Sequence, residues 1–302
     1  MKYFFGIDTS NYTTSAVVCD ENGEVIKNIR IPLKVNDGEH GLRQNDAVFG
    51  HIKNIPKVME EIGRTDLTAL GYSAYPRDSE GSYMPCFLAG EAIANSIASI
   101  NGLPVYNFSH QAGHIAAAKY SSKLNADKFI AFHVSGGTTE VLYVECEKIN
   151  KLGGTLDLNA GQIIDRIGVK LNLKFPCGAE LENLANTCDK TIKVNICVKD
   201  CDCNFSGLEN QAIELIKNGF DNNYVAAYVI EFIKATIDKL TYNALQKHSN
   251  LPVLYAGGVM SNQIIKNYLS NKYKSCFASP EFSADNAAGI AILCRQRYLN
   301  GK

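Results

Sequence analysis

An internal repeat constrains this chain more than any other feature of its sequence. The segment Ile7–Thr14 aligns without a gap over Phe132–Thr139, an offset of 125 residues (132 minus 7), and the serine and both threonines match. In each copy an apolar strand leads into a polar loop and then into a second strand. The repeat predicts a duplicated α/β fold of two domains with a cleft between them. The alternative is two unrelated turns rich in serine and threonine.

The length of the chain also indicates two domains. Its 302 residues exceed what one ordinary core holds. Residues 101–104, Asn-Gly-Leu-Pro, form a cluster of breaking residues between two periodic segments. We therefore expect a first domain at 1–104 and a second at 105–302, with the last helix free to pack back on the first domain.

The charge balance excludes a globally basic nucleic-acid binder. Thirty basic and 31 acidic residues give a net charge of -1, so contact with a polyanion must be local or supplied by a partner. The apolar run at the amino terminus breaks too soon for a signal peptide, and no segment approaches the roughly 18 apolar residues of a membrane span. We expect a cytoplasmic protein with no membrane partner.

Ten cysteines without an export signal are interpreted as reduced thiols. Cys197, Cys201 and Cys203 have the spacing C-x-x-x-C-x-C, which differs from the paired C-x-x-C of a zinc ribbon. Free thiols on a strand and turn are favoured over a metal site.

Two histidines four residues apart are candidates for metal binding. His110 and His114 lie in a predicted helix and project from one face; ordinary surface or core histidines are the alternative. Asp285, at the start of the last predicted helix, is a candidate third ligand or an ordinary helix N-cap. Two imidazoles and one carboxylate leave coordination positions open, which suits iron, zinc or manganese acting as a Lewis acid on a substrate oxygen.

Two glycine pairs are candidates for nucleotide binding. Ser135-Gly136-Gly137 can present backbone N–H groups to a phosphate. Gly257-Gly258 follows a buried strand, with Asn262 nearby, and could face an adenine or ribose or simply allow tight packing. Asp165 could accept hydrogen bonds from ribose hydroxyls or be a solvated acid beside Arg166.

Eight segments, in order, resemble the threonylcarbamoyl-adenosine tRNA transferases, a family formerly described as O-sialoglycoprotein endopeptidases. They are Gly6–Ser10, Ser109–His114, Val134–Thr138, Leu152–Arg166, Phe175–Gly178, Asn204–Leu208, Ala256–Asn262 and Asp285–Ala291. The resemblance covers nearly the whole chain. It implies an actin-like, ribonuclease H-like fold of the sugar-kinase superfamily. Proteolysis is rejected, because Gln111 and Ala112 stand at the inner positions of the required H-E-x-x-H motif.

The resemblance implies transfer of a threonylcarbamoyl group from threonylcarbamoyl-AMP to the amine of the adenosine beside the anticodon in tRNA. It implies that His110, His114 and Asp285 bind one divalent ion, iron or zinc, and are catalytic. The implied contacts to the adenylate, or to ATP or AMP, are His133, Val134, Ser135, Gly136, Gly137, Asp165, Gly178 and Asn262. The implied partners are tRNA, an adenylate synthase, a smaller dimerising paralogue and an ATPase.

Departures from the family pattern indicate a divergent member. The first hairpin has Asn11, Tyr12 and Thr13 where the family usually carries a cysteine and two acids, and Leu158 stands where an acid is typical. His133 replaces an aliphatic residue, and we favour an ordinary strand histidine over a polar contact to the substrate. Two alternatives stay open: a carbamoyltransferase for a small-molecule acceptor, and a non-catalytic adenylate-binding scaffold that binds partners through the first-domain helix near His51.

Overall fold

A computed structural model describes residues 1–10, 12–34, 42–283 and 286–301. The strands are β1 (Tyr3–Ser10), β2 (Thr13–Asp20), β3 (Val25–Pro32), β4 (Leu67–Tyr75), β5 (Val105–Ser109), β6 (Lys128–Val134), β7 (Thr139–Glu145), β8 (Lys148–Gly154), β9 (Cys197–Lys199), β10 (Asp202–Asn204), β11 (Val253–Ala256) and β12 (Ser275–Phe277). The helices are α1 (Gln44–Ile62), α2 (Phe87–Asn101), α3 (His110–Ser122), α4 (Ala160–Lys170), α5 (Gly178–Asn186), α6 (Ser206–Lys217), α7 (Asn222–Lys247), α8 (Gln263–Lys272), α9 (Pro280–Ser283) and α10 (Ala288–Leu299). None of these helices is both long and apolar enough to cross a membrane.

The chain divides into two compact units. The first comprises Met1–Ser121 and Glu281–Lys302, and the second comprises Ser122–Pro280. This division differs from the boundary expected near residue 104. The reason is that β5, which follows Pro104, pairs in parallel with β4 and so completes the first sheet. The final helix, α10, belongs to the first unit.

The first unit is built on a five-stranded sheet in the order β3-β2-β1-β4-β5. Neighbouring residues of a strand point to opposite faces, and both faces are covered. Phe4 packs in a cluster with residues of α3 and α10, whereas Phe5 packs in a cluster with residues of α1 and α2. Both phenylalanines are fully buried. Burial on both faces explains why β1 is almost continuously apolar.

The second unit repeats this plan with a sheet in the order β12-β11-β6-β7-β8. Its core includes alternate residues of β6, namely Ile130, Phe132 and Val134, packed with α4 and α7. The long helix α7 turns one apolar face to this core, since Val229, Ile233 and other central positions of α7 are buried. The small β9–β10 hairpin precedes α6.

The two sheets confirm the predicted duplicated α/β fold. Read from β8, the second sheet places β8, β7, β6, β11 and β12 where the first has β3, β2, β1, β4 and β5, with the same parallel and antiparallel pairings. Register agrees as well: Asp8 pairs with Ser15, and His133 pairs with Glu140, each position shifted by the same 125 residues (133 minus 8, 140 minus 15).

Close glycine contacts hold α3 in place in the first unit. A Cβ on Gly289 of α10 would lie 1.8 Å from the carbonyl oxygen of Gly113 in α3. A Cβ on Gly6 of β1 would lie 2.4 Å from the backbone nitrogen of Ala291 in α10. Neither position can hold a side chain without moving backbone. The helix that carries the paired histidines is therefore fixed against α10, which is itself fixed against β1.

Candidate functional site

The paired histidines meet at the start of α3. The predicted helix is confirmed, and it begins at His110 directly after β5. The hydroxyl of Ser109 accepts a hydrogen bond from the backbone N–H of Ala112 at 3.0 Å, as an N-cap does. Nε2 of His110 and Nε2 of His114 are 2.9 Å apart. One turn of helix therefore points both ring nitrogens at the same place.

Asp8 orients His110, and the sequence analysis did not select it. Its side chain is only 2% exposed, and its Oδ2 lies 2.7 Å from Nδ1 of His110. A carboxylate only accepts, so His110 donates from Nδ1. Burial alone would raise the pKa of Asp8, but electrostatic attraction to the N–H of His110 and hydrogen bonds from His110, Ser73 and Ser10 hold that pKa well below its usual range. Asp8 is thus a charged carboxylate that fixes the tautomer of His110.

The imidazole pair fits a metal ion. With Nδ1 of His110 protonated towards Asp8, its Nε2 presents a lone pair towards His114. Two nitrogens bound at about 2.1 Å to one tetrahedral ion would be separated by about 3.4 Å. The two ring nitrogens lie at a hydrogen-bond distance of 2.9 Å, so the rings would move apart by about 0.5 Å to bind such an ion. Imidazole nitrogen is a ligand for both zinc and iron.

The third predicted ligand, Asp285, lies outside the described residues, as does Asn11 of the first hairpin. Within the described ranges, no group of three histidine, cysteine, aspartate or glutamate side chains is arranged to hold a metal ion. The described part of the first unit therefore contributes two imidazoles and the carboxylate of Asp8 that supports one of them.

The connection between β4 and α2 surrounds His110. The backbone N–H of Gln111 donates to the carbonyl of Pro76 at 3.0 Å, and the hydroxyl of Ser109 donates to Asp78 at 2.9 Å. The ring of Phe87 lies 5.9 Å from that of His110, centroid to centroid. The residues on both sides of His110 are therefore fixed by this connection.

The second hairpin holds a rigid loop with two open glycines. The backbone N–H of Ser135 donates to the carbonyl of Thr138 at 2.7 Å, and that of Gly161 in α4 donates to the carbonyl of Ser135 at 3.2 Å. A Cβ on Gly136 or Gly137 would meet no atom within 4 Å. Packing within the protein therefore does not explain these two glycines, and their backbone is accessible to a ligand.

Two other glycines let the chain approach this hairpin closely. A Cβ on Gly161 would lie 2.7 Å from the backbone nitrogen of Gly136. Gly257 has a φ of +98°, and its Cβ would lie 2.2 Å from the carbonyl oxygen of Val134. Gly257 therefore allows tight packing of the backbone, which is the second of the two interpretations given above. Gly258 differs, because a Cβ there would meet nothing within 4 Å.

Asp165, Gly178 and Asn262 lie around the same unit and have structural contacts of their own. Asp165 Oδ1 accepts a hydrogen bond from the backbone N–H of Cys177 at 2.9 Å. Gly178 begins α5 and has open space at its Cβ position. Asn262 is the N-cap of α8 and accepts from the backbone N–H of Ile265 at 3.0 Å. Asp165 and Asn262 each use one oxygen to fix the backbone.

Glu182 ties two of these segments together. Its Oε1 accepts from the backbone N–H of Gln263 at 2.6 Å, so α5 is joined to the start of α8. His133 and Val134 end β6 and are both buried, His133 being 8% exposed and opposite Glu140.

Asp157 is a second residue that the sequence analysis left unassigned. It accepts hydrogen bonds from the backbone N–H groups of Leu158 at 2.6 Å, Phe205 at 2.7 Å and Ser206 at 3.0 Å. Partial burial alone would raise the pKa of Asp157, but these donors hold it well below its usual range. Asp157 thereby joins the loop before α4 to the start of α6.

The cysteine cluster consists of free thiols on a strand and turn. Cys197 is exposed on β9, and Cys201 and Cys203 are buried. Burial raises the pKa of Cys203 to about 12, so this thiol stays protonated and unreactive at neutral pH.

His51 does not lie on the exposed face of α1. It is fully buried, and its Nδ1 lies 2.8 Å from the hydroxyl of Thr14. Burial lowers the pKa of His51. The helix near His51, named above as a surface for a scaffold, thus has this histidine on its inner side.

Comparisons with known proteins identify relatives along nearly the whole chain. The tRNA N6-adenosine threonylcarbamoyltransferase family matches residues 46–292. A protein of that name from Geobacillus thermodenitrificans is 29% identical, over 99% of this chain and 93% of its own length. Another of that name, from Oenococcus oeni, is 30% identical over 98% of this chain and 91% of its own length.

Solved structures agree on the fold. Full-length HypF has a TM-score of 0.63 at 14% identity, over 97% of this chain and 55% of its own. A ROK family glucokinase from Streptomyces griseus has a TM-score of 0.56 at 12% identity, over 97% of this chain and 99% of its own. These likenesses support the actin-like, sugar-kinase architecture, and the sequence matches are more specific: the chain belongs to the tRNA N6-adenosine threonylcarbamoyltransferase family.

Proposed function

We propose that this chain transfers a threonylcarbamoyl group from threonylcarbamoyl-AMP to the exocyclic amine of the adenosine next to the anticodon in tRNA. The observation that carries this proposal is family membership, with a match over residues 46–292 and relatives of that activity along 98% or more of the chain. The common name of these relatives does not favour a small-molecule acceptor or a non-catalytic scaffold.

In this proposal His110 and His114 bind one divalent ion, iron or zinc, with Asp285 as a third ligand. When bound, the ion supplies Lewis-acid stabilisation of the negative charge that develops on the carbamoyl oxygen. The role of Asp8 is to keep the proton of His110 on Nδ1, 2.7 Å from its own Oδ2, so that Nε2 is unprotonated and can bind the ion. The fixed start of α3 keeps both rings in position.

The second hairpin is proposed to bind the adenylate. The exposed backbone of Gly136 and Gly137 is proposed to contact the phosphate, since open space surrounds both glycines. The N–H of Gly137 now donates to Ser135 Oγ at 3.3 Å and would turn to the phosphate when it binds, whereas the N–H of Ser135 stays on the carbonyl of Thr138 and its hydroxyl is the group left for the ligand. Asp165, Gly178 and Asn262 are proposed as further contacts, with His133 and Val134 at the end of β6. Asp165 and Asn262 each use one side-chain oxygen, Oδ1, to accept a backbone N–H. The second oxygen of Asp165 and the amide nitrogen of Asn262 are left for a ligand.

The reaction requires no protein nucleophile. The adenosine amine forms the new C–N bond to the carbamoyl carbon, the bond from that carbon to the phosphate oxygen breaks, AMP leaves, and the amine releases a proton. Hydrogen bonds from the hairpin to the phosphate would stabilise the charge that AMP carries away.

We expect partners and a cytoplasmic setting. The adenylate must be made by a synthase, and a smaller dimerising paralogue and an ATPase are expected as further subunits. A relative from Methanocaldococcus jannaschii, named a probable bifunctional tRNA threonylcarbamoyladenosine biosynthesis protein, is 24% identical; this chain spans 56% of its length. That name supports a second activity working on the same product.

The test is to mix purified chain with threonylcarbamoyl-AMP and unmodified tRNA, alone and with the expected partner proteins. Nucleosides from the digested tRNA are then analysed by mass spectrometry. We expect threonylcarbamoyladenosine in unmodified tRNA and no gain in tRNA that already carries the modification. Transfer to small alcohols with none to tRNA, in every protein mixture, would overturn the proposal.

A further inference from the structure

The turn between α4 and α5 exposes an aromatic ring that two exposed lysines precede in the sequence. Phe175 is 68% exposed, more than any other phenylalanine of the described chain. Lys174 precedes it, and Lys170 ends α4; both lysines are exposed. We call these three residues the basic-aromatic turn.

The backbone of this turn is fixed. The N–H of Leu173 donates to the carbonyl of Gly168 at 2.9 Å, and that of Lys174 donates to Glu180 Oε2 at 3.1 Å. The N–H of Cys177 donates to Asp165 Oδ1 at 2.9 Å. The Phe175 ring is therefore presented on an ordered segment, which lowers the entropic cost of binding a partner.

The carboxylates beside this turn, Glu180 and Asp165, accept from its backbone and not from its lysine side chains. Neither Lys170 nor Lys174 forms a salt bridge with a carboxylate of the described residues. In contrast, Arg166 of the same helix is paired with Glu209 at 3.0 Å. In a chain with a net charge of -1, such a local concentration of free ammonium groups is where a polyanion would bind.

The turn is also continuous with the proposed adenylate contacts. Asp165 lies in the helix before it and holds Cys177, and Gly178 follows it directly. A nucleic acid bound at the turn would thus lie beside residues proposed to hold the group donor, within the same unit.

We propose that the basic-aromatic turn binds the single-stranded RNA next to the acceptor adenosine. The Phe175 ring stacks on a base, and Lys170 and Lys174 contact backbone phosphates. Stacking on aromatic side chains combined with phosphate contacts is the usual way in which proteins bind unpaired RNA. The choice of RNA as the ligand rests on the proposed function.

The experiment measures the affinity of the full-length chain for unmodified tRNA by fluorescence anisotropy over a range of salt concentrations. We expect Phe175→Ala to weaken binding by about 5- to 100-fold, and Phe175→Tyr to restore it, since stacking needs an aromatic face. The double variant Lys170→Gln/Lys174→Gln loses two phosphate contacts. The slope of log affinity against log salt concentration should therefore become less steep by about 1.4, or about 0.7 for each contact.

Matched controls come from another exposed part of the second unit. Phe220, 43% exposed, and Lys217 lie at the end of α6 and in the connection that follows. Phe220→Ala and Lys217→Gln should leave tRNA affinity and its salt dependence unchanged. Equal losses in these controls would show non-specific electrostatic or apolar binding and would overturn the proposal.

AMP binding and group transfer are measured on the same proteins. If Phe175→Ala weakens AMP binding and leaves tRNA affinity intact, the ring serves the adenylate and the proposal is wrong. The proposal is also wrong if the original chain transfers the group and Phe175→Ala binds tRNA with the same affinity. It is wrong as well if the original chain does not bind tRNA at all. Conversely, Phe175-dependent tRNA binding without transfer, in the presence of the partner proteins, would overturn the proposed function alone.

Discussion

The two hairpins of this duplicated chain share register and order but have different chemistry. In the first, Asp8 is a buried carboxylate that holds a histidine on α3. The equivalent position in the second is His133, which is buried in β6 opposite Glu140. The first hairpin thus supports a pair of imidazoles proposed as metal ligands, whereas the second offers a backbone loop with two open glycines.

This difference teaches how duplication can separate two tasks. Each copy keeps the strand, loop and strand that the fold requires, and one polar residue at the end of the central strand sets the local chemistry. In the first copy a carboxylate supports proposed metal binding. In the second, two glycines with open space at their Cβ positions let a proposed phosphate approach the backbone. The predictions below test whether the two tasks are separate.

The largest effect is expected from removing an imidazole. His114→Ala should abolish stoichiometric metal binding and reduce threonylcarbamoyl transfer by more than about 100-fold, because even residues that only support a ligand cost 10- to 100-fold when removed. Metal analysis by mass spectrometry and the tRNA assay check this. His248→Ala, at the end of α7, is the matched control and should keep both metal and activity. Full activity in His114→Ala would contradict the role of α3.

A smaller effect is expected from Asp8→Asn. The amide is uncharged and no longer favours the His110 tautomer as strongly, so metal affinity should fall by about 10- to 100-fold. Competition with a chelator of known affinity measures the change. AMP binding, assigned to the second unit, should not change. If Asp8→Asn lost AMP binding and kept the metal, the separation of tasks between the hairpins would be wrong.

Two glycine substitutions sharpen the comparison within the second unit. Gly136→Ala meets open space, so stability should be unchanged while AMP affinity falls, because the methyl group blocks approach to the loop. Gly161→Ala should cost about 1–3 kcal/mol in the free energy of unfolding, because its Cβ would press on the backbone of Gly136. Thermal unfolding and AMP titration of both variants are the measurements. The reverse pattern would show that Gly136 is the packing residue.

The smallest effect is expected at Asp157. Asp157→Asn should destabilise the protein by about 1 kcal/mol at pH 7, since Asp157 is exposed and water screens its charge. Its pKa in the folded protein is lowered, so its contribution is complete above the unfolded value of about 3.9 and is lost as pH falls below that value. Denaturant unfolding at pH 7 and at low pH measures the difference.

The matched control for that measurement is Asp66→Asn. Asp66 is exposed and has no hydrogen bond or ion pair within the described ranges. We expect no change in stability from it at either pH. If the free energy of unfolding of Asp157→Asn differed from that of the original chain by the same amount at every pH, the charge of Asp157 would not be the cause of the loss of stability.

The repeat and the helical spacing of the histidines were sufficient to predict most of the fold and part of the site. The sequence of apolar strand, polar loop and second strand, with the shared Ser and Thr positions, predicted both hairpins, since these are local features. The pairing of His110 with His114 follows from the pitch of one helix turn. The domain boundary was less predictable, because only the pairing of β5 with β4 reveals that the first sheet continues beyond Pro104.

The contact between Asp8 and His110 could not be predicted from the sequence. Asp8 is 102 residues from His110, and their contact depends on how β1 and α3 pack. The available signal was a carboxylate at the end of an otherwise apolar strand, where burial demands a partner. Helix α1 likewise has no side chain that caps its start at Gln44, so its first residue has no capping signal in the sequence.

The most direct test of the central claim is anomalous diffraction from crystals of the intact protein, recorded at the absorption edges of iron and zinc. We predict one anomalous peak about 2.0–2.2 Å from Nε2 of both His110 and His114, with Nδ1 of His110 still bonded to Asp8. Fully occupied metal elsewhere, or a peak that contacts neither imidazole, would contradict the account.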